Sequence, residues 1–419
     1  MLSVLINTPK RALLFRSLKK SGPALPRVTT DFNKAFYSVW TWGYGNDGQL
    51  GHMPFIPGNM AAPYTELIPR QLESDMGDEV VYTSCGLSHT AMVTADGALW
   101  TWGSCKYGAL GQGEAGKQAP VPAPRRVEEG LEGVRVVAVA CGDHHTVALD
   151  DNGNCYSTGW GGSFVSGCGG LGLGTAADRD RFEPLASLAA EGVSVAALGA
   201  GSHHTAFLTR DHEVYVCGES EYGRLGTGSL GDALIPEPLD IFEDLGVAEI
   251  RRLSVGQAFT LAACADGRVY GWGRNDQGQL GLGGGLQMDV YNMEEVPTLV
   301  EALEGERVVE VACGKHHAAA VTDGGQLYMW GMKRVLEPQL MTELSDIHVK
   351  KAYCGDNFTY ALSDKGHLYS FGKGGSRSLG HGDKKTYPQP TLVEAMKDKK
   401  VISMSCGHRH VAALVDDGA

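Results

Sequence analysis

Four groups of residues have the types and spacing that chemistry would require. Gly43-Tyr44-Gly45-Asn46-Asp47-Gly48 is a literal G-x-G-x-x-G, the spacing that lets a backbone approach a dinucleotide pyrophosphate at a strand-to-helix turn. Five histidines, His89, His145, His204, His317 and His410, each stand three places after a glycine, a regularity that a metal ring or a proton relay would also produce. Five cysteines, Cys85, Cys141, Cys313, Cys354 and Cys406, directly precede that same glycine and raise the question of thiolate ligands or disulfides. A Ser/His/acid set can be drawn from any chain of this size, but neither G-x-S-x-G nor H-E-x-x-H occurs.

The elements that would position these groups are repeats. The phrase VYTSCGLSHTAMVTADGALWTWG, from Val81, returns from Val137, Val195, Ile250, Val308, Val349 and Val401. Its first glycine falls at Gly86, Gly142, Gly201, Gly256, Gly314, Gly355 and Gly407, at intervals of 41 to 59 residues. A second glycine, closing an aromatic strand, falls at Gly43, Gly103, Gly159, Gly218, Gly273, Gly331 and Gly372. Within each unit a β-prone run such as Thr90-Ala91-Met92-Val93 meets a turn such as Asp96-Gly97, then a strand such as Leu99-Trp100-Thr101-Trp102. Seven units of this length and strand content predict an all-β, seven-bladed β-propeller. Unit seven breaks off at Asp417-Gly418-Ala419, and the aromatic strand it lacks is Val39-Trp40-Thr41-Trp42. One blade is therefore expected to be shared between the termini, which pairs the sheet edges an open ring would expose.

The repeat also decides what the four groups are. The outer glycines of the opening motif recur five apart as Gly103/Gly108, Gly218/Gly223 and Gly273/Gly278, but the middle one is replaced by Cys105, Ser220 and Asn275. Leu50-Gly51 and another turn follow rather than a helix, so no nucleotide site is expected. Phe259 and Phe358 fill the histidine slot in two units, which makes it a packing position for a ring. Ala200 and Val255 fill the cysteine slot, so these cysteines read as small buried hydrophobes. No C-x-x-C occurs. Neither metal, cofactor nor side-chain catalysis is expected.

Composition narrows the class further. There are 58 glycines among 419 residues, about twice the ~7% of average usage, as many tight turns require. A net charge of −13 disfavours a surface built to coat nucleic acid, leaving RNA contact local at most. No run of 18 apolar residues exists, so no membrane-spanning helix is predicted. Residues 1–35 differ from the remainder: Lys10, Arg11, Arg16, Lys19, Lys20 and Arg27 precede the first acid, Asp31, and Leu5, Ile6, Leu13, Leu14 and Leu18 can share one helix face. Such an arm reads as a mitochondrial presequence. The alternative is a retained basic extension lying along a partner in a large assembly, and the alternative location is cytoplasmic or nuclear.

The C-G-x-x-H-T phrase, followed by D-G-x-[LV]-[WY]-x-W-G and G-Q-L-G, resembles the regulator-of-chromosome-condensation repeat family across residues 36–419. The resemblance implies a seven-bladed propeller, monomeric as a propeller. Function is less constrained, because the family includes guanine-nucleotide exchange factors, ubiquitin-ligase modules, a photoreceptor and mitochondrial assembly proteins. The photoreceptor's repeated G-W-R-H-T is absent: the nearest match is CGHRH at 406–410, and the tryptophans lie on the aromatic strands apart from Trp160.

Resemblance to the Ran exchange factor implies contacts from polar residues one and two places after the first glycine of each unit, together with a wedge loop. Asp143 and His316 match that pattern, whereas His203 stands where an acid is expected. Between Gly159 and Leu171 the chain spends twelve positions where Gly43 to Leu50 takes seven, and the extra residues fall where the wedge would be, with Phe164 and Val165 at its tip. Trp160-Gly161 instead resembles the mitochondrial members.

The candidate partner-binding residues are Asp143, His144, Trp160, Phe164, Val165, His203, Lys315, His316, Asp356 and Arg409. The expected function is a non-catalytic scaffold for protein or ribonucleoprotein partners in a mitochondrial matrix assembly, ribosome or respiratory complex. The alternative is guanine-nucleotide exchange on a small GTPase. One unit is degenerate, reading MKRVLEPQLMTELSD after Gly331 with no G-Q-L-G; a trimmed outer hairpin that makes room for a partner and simple drift of the repeat both fit it.

Overall fold

Each repeat folds because its second strand is apolar or small at nearly every position and can be buried on both faces. His89–Thr94, His145–Asp150, His204–Thr209, Phe259–Cys264, His317–Thr322 and Phe358–Ser363 are buried throughout. In the computed structural model the described residues are 37–52, 64–73, 76, 79–114, 119–163, 167–247, 249–283 and 292–416. Residues 1–35, Phe164, Val165 and Asp417–Ala419 lie outside that set.

Among the described residues there are seven four-stranded antiparallel sheets. The first blade runs outward through Val80–Cys85, His89–Thr94, Leu99–Gly103 and Val121–Arg126. Blades two to six follow from Val136–Cys141, Val195–Ala200, Ile250–Val255, Val308–Cys313 and Val349–Cys354 as innermost strands. The seventh is shared as anticipated: Lys400–Cys406 and His410–Asp416 form its inner half, Tyr37–Tyr44 and Thr65–Gln71 its outer half. Tyr37 pairs with Asp416 and, at the other end of the ladder, Gly43 with His410. Every outermost strand carries proline, from Pro69 round the ring to Pro388 and Pro390, which removes donors from edges that would otherwise pair with another chain.

Neighbouring blades are locked by the turns that looked like a phosphate loop. The carbonyl of Gln49 accepts from Trp102 Nε1 at 2.9 Å and from Thr90 Oγ1 at 2.8 Å in the next blade. Trp330 Nε1 donates in the same way to the Gln279 carbonyl at 2.8 Å. Gly48 must be glycine because its φ is +81° and a Cβ would lie 2.8 Å from Pro122 Cα. The middle glycine, Gly45, makes room only for Tyr64 and Leu50. These glycines serve blade packing.

The histidine slot follows a pairing rule. His89, His145, His204, His317 and His410 place Nε2 2.9–3.4 Å from the hydroxyl of Thr146, Thr205, Thr260, Thr359 and Thr90 in the following blade. Phe259 and Phe358 occupy the slot where the following blade offers Ala318 or Val411 instead. The slot is structural. All ten cysteines are free, and burial pushes the thiols of Cys85, Cys141 and Cys354 up to about 12.

The degenerate fifth unit keeps its fourth strand, Val335–Leu340. Only the connection is trimmed, to a turn in which Met332 and Lys333 adopt left-handed φ values of 58° and 57°. Lys333 N donates to the Gln277 carbonyl at 2.8 Å, so the shortened turn is seated on the fourth blade.

Candidate protein-interaction face

The chain reverses just after each first glycine, so the next residue rims the propeller axis. Asp143, Ser202, Gln257, Lys315, Asp356 and His408 surround an axial cavity of about 100 Å³, room for roughly three waters. Of the sequence candidates, the axis gathers Asp143, Lys315 and Asp356. Lys315 Nζ lies 3.5 Å from Asp356 Oδ1, and His408 Nε2 lies 3.4 Å from Asp356 Oδ2. Burial holds the His408 imidazole below its ordinary value despite the carboxylate beside it.

Residues two places after the glycine lie farther out on the same face. On blades two and three, His144, Trp160 and His203 join Tyr107 in one aromatic cluster. Ring centroids are 5.2 Å apart for Tyr107–His144, 6.3 Å for Tyr107–Trp160 and 4.6 Å for Trp160–His203. Trp160 is buried and Tyr107 is 48% exposed. His144 is held below its usual value by burial, with the nearby Asp143 carboxylate opposing the shift. His316 sits apart on the fifth blade, also lowered by burial, with Lys315, Arg274 and Asp276 as charged neighbours. Arg409 is exposed at the seventh blade, and its carbonyl accepts from Ser378 Oγ at 2.6 Å.

The insertion after Trp160 begins and ends as a two-stranded hairpin, Gly162–Ser163 with Gly167–Cys168. Its base is held by Asp232, which accepts from Cys168 N and from Ser220 N, both at 2.9 Å. Phe164 and Val165, the expected tip, fall outside the described residues.

Beside the hairpin opens a groove of about 760 Å³ lined by Asp143, His203, Glu219, Tyr222, Leu230 and Asp232. His203 does not leave the groove without an acid: its Nδ1 lies 2.8 Å from Glu219 Oε2. Glu219 is also paired with the buried Arg224 at 2.7 Å, and Arg224 with Glu221 at 3.2 Å. Arg274 stacks on Tyr222 at 4.6 Å from its centroid and pairs with Asp276 at 2.7 Å.

Glu219, Tyr107, Tyr222, Leu230 and Asp232 belong to this candidate face and were missed by sequence reasoning. A signal was present for the tyrosines. Tyr107 and Tyr222 each precede the second glycine of a turn and carry φ values of 58° and 61°, a backbone state costly for a bulky residue. Such strain gathers at functional surfaces.

With this geometry in place, comparison with known proteins is direct. The family model for the RCC1-like domain matches residues 35–337, and that for the regulator of chromosome condensation (RCC1) repeat matches residues 365–414. The ultraviolet-B receptor UVR8 of Arabidopsis thaliana is 34% identical over 303 residues, 72% of this chain and 62% of the receptor. The chain thus spans less than two thirds of that relative's length. The RCC1 domain-containing protein RUG3, mitochondrial, also of Arabidopsis thaliana, is 26% identical over 407 residues, 93% of this chain and 77% of RUG3. Among solved structures, human WBSCR16 superposes with a TM-score of 0.76 at 25% identity, covering 91% of this chain and 100% of that one.

Proposed function

The chain belongs to the RCC1-like domain family of seven-bladed propellers, and from that premise we propose that it is a non-catalytic module binding protein or ribonucleoprotein partners in a mitochondrial assembly. One observation carries the reading: beside the inserted hairpin, a groove lined by Tyr222 and the carboxylates of Asp143, Glu219 and Asp232 adjoins, through His203, the ring cluster of Trp160 and Tyr107. Aromatic anchors on rigid turns are what interface hot spots are made of. The carboxylates and the net charge of −13 fit a basic protein segment. Asp143, His144, Trp160, Phe164, Val165, His203, Lys315, His316, Asp356 and Arg409 remain the proposed contacts, with Tyr107, Tyr222 and Glu219 added. The mitochondrial location rests on the basic arm of residues 1–35 and on the designation of RUG3.

The test is affinity purification of the tagged chain from isolated mitochondria, alongside Tyr107→Ala/Tyr222→Ala. A stable complex with wild type that is depleted at least tenfold by the double substitution is the expected result. Recovery of the chain alone, or a fluorescent fusion of residues 1–35 that stays in the cytosol, overturns the reading.

A second reading, guanine-nucleotide exchange on a small GTPase, is favoured by the hairpin that Asp232 anchors beside Asp143. A wedge that binds the nucleotide-free GTPase better than the loaded one drives release by differential affinity. Labelled-GDP release from candidate GTPases, with wild type, Asp143→Ala and a hairpin shortened by residues 163–167, decides it. No acceleration over spontaneous release ends this reading.

A further inference from the structure

Five places after the second glycine of a unit, the chain turns through a left-handed residue. Gly48, Gly108, Gly223 and Gly278 hold this position with φ between 67° and 81°. In the sixth blade the same position is Arg377, with φ of 64°. An L-residue with a long side chain is strained there where glycine is not. A guanidinium kept at a glycine position is a feature the turn itself does not ask for.

Arg377 shares its connecting segment with Lys373 and Lys384. Gly374 packs so closely on the backbone of Lys384 and Lys385 that a Cβ would lie 2.5 Å from the Lys384 carbonyl oxygen and closer still to that of Lys385. Ser378 Oγ bonds the carbonyl of Arg409 at 2.6 Å. Lys373, Arg377, Lys384 and Arg409 therefore share one end of the sixth and seventh blades. Among the described residues, none of the four pairs with a carboxylate, and Asp383 is committed to Lys385 at 3.3 Å and to Tyr387 Oη at 3.2 Å. Adjacent to them, the rings of His381 and Tyr387 stack with centroids 4.1 Å apart. They line a groove of about 350 Å³ together with Ile68, Leu392 and Glu394. The acidic groove lies three blades away, across the axis.

We propose that this end of the loop face binds a single-stranded nucleic acid, with Lys373, Arg377, Lys384 and Arg409 on phosphates and the Tyr387–His381 pair supporting a base. Unpaired cations following a turn suit a polynucleotide backbone, and a half-exposed aromatic pair beside them suits base stacking. An acidic peptide would use the cations but leave the stacked rings idle. This surface shares no residue with the acidic groove; Arg409 alone is also among the contacts proposed above.

The experiment uses the full chain and fluorescence anisotropy with labelled 12-nucleotide single-stranded RNA and DNA of the same sequence, titrated from low to moderate salt. Binding of one or both is expected, with a log–log salt slope near −3 for about four phosphate contacts. Arg377→Gly relieves the left-handed strain, so its thermal midpoint does not fall. Arg377→Gly/Lys384→Gln nonetheless weakens binding by more than about tenfold and flattens the salt slope. Tyr387→Leu weakens binding while leaving the slope unchanged. Lys365→Gln, in the turn on the opposite face, leaves affinity unchanged. A stronger RNA than DNA signal assigns a role for the 2′-hydroxyl, and the reverse assigns DNA. Binding of neither strand, binding indifferent to the double substitution, or equal binding of a poly-glutamate peptide overturns the proposal.

Discussion

His145 Nε2 and Thr205 Oγ1 lie 3.0 Å apart across the boundary between the second and third blades. The threonine hydroxyl already donates to the Gly170 carbonyl at 2.6 Å. It therefore accepts from histidine, which fixes the proton on Nε2. Thr146 and Thr90 make the same two-sided bond, donating to the carbonyls of Ala109 and Gln49. Where the next blade has no hydroxyl, phenylalanine replaces histidine. Ring and hydroxyl thus change together from blade to blade.

That rule predicts a double-mutant cycle. Thr205→Val strands a buried imidazole N–H and is expected to cost about 2 kcal/mol, and His145→Phe about 1–2 kcal/mol. The pair together should cost less than the sum by at least about 1 kcal/mol, since it recreates the Phe358/Val411 arrangement. Urea denaturation of the four proteins measures it. Strict additivity would show that the contact is incidental.

The same histidines set a pH dependence. Burial, the largest cause in each case, lowers His89, His145 and His410 to about 3 and His317 to about 4, and His204 well below its ordinary value. A group depressed in the folded state is protonated first in the unfolded chain. Stability is therefore full above about pH 7 and falls as pH drops from 6.5 toward 3 or 4. Each histidine contributes a slope approaching about 1.4 kcal/mol per pH unit within that window. Denaturation midpoints at pH 7.5, 6.0 and 5.0 should decline with increasing steepness. The His145→Phe/Thr205→Val protein should decline less. A flat profile across this range would contradict the buried neutral assignment.

Legibility in the sequence followed the range of the interaction. Strand, turn and closure are local or repeat every blade, so the seven recurring glycines and the orphan strand Val39–Trp42 expose them in one dimension. The aromatic cluster does not repeat. Tyr107, His144, Trp160 and His203 come from three blades and meet only because the blades fan around an axis. Glu219 reaches His203 from the next strand but one, so an apparent loss of acid at His203 was a relocation of it. The fifth blade lacks G-Q-L-G yet has its fourth strand, because two left-handed residues, Met332 and Lys333, replace a longer turn at a modest backbone cost.

The Glu219–Arg224 pair should behave as a buried ion pair. The side chains are 12% and 4% exposed, so removing one charge leaves the other poorly solvated. Glu219→Gln or Arg224→Met alone is expected to destabilise by about 3 kcal/mol, and the double substitution by clearly less. Thermal melts of the three variants test this. If each single substitution is silent, the pair is solvated in solution and the groove wall is looser than its geometry implies.

The closing blade yields the last expectation. Trp42, on the terminal strand Tyr37–Tyr44, is fully buried and donates from Nε1 to Tyr360 Oη at 2.8 Å and to the Ser378 carbonyl at 3.1 Å. Its ring meets Tyr360 edge-on at 5.9 Å, so the N-terminal strand is latched to the sixth blade as well as zipped to His410–Asp416. Trp42→Phe keeps most of the apolar contact, and Tyr360 retains its bond to Ser378. A loss of about 1–2 kcal/mol is expected. Trp42→Ala opens a cavity beside the strand pair that closes the ring and should cost about 3–5 kcal/mol. Because a propeller opens where its chain ends meet, the damage should appear first as local unfolding. Hydrogen exchange on Trp42→Ala should therefore accelerate at residues 39–43 and 410–416 before it does at Phe259–Cys264 across the ring. Uniform acceleration around all seven blades would mean that closure is not the weakest point and that the blades unfold as one unit.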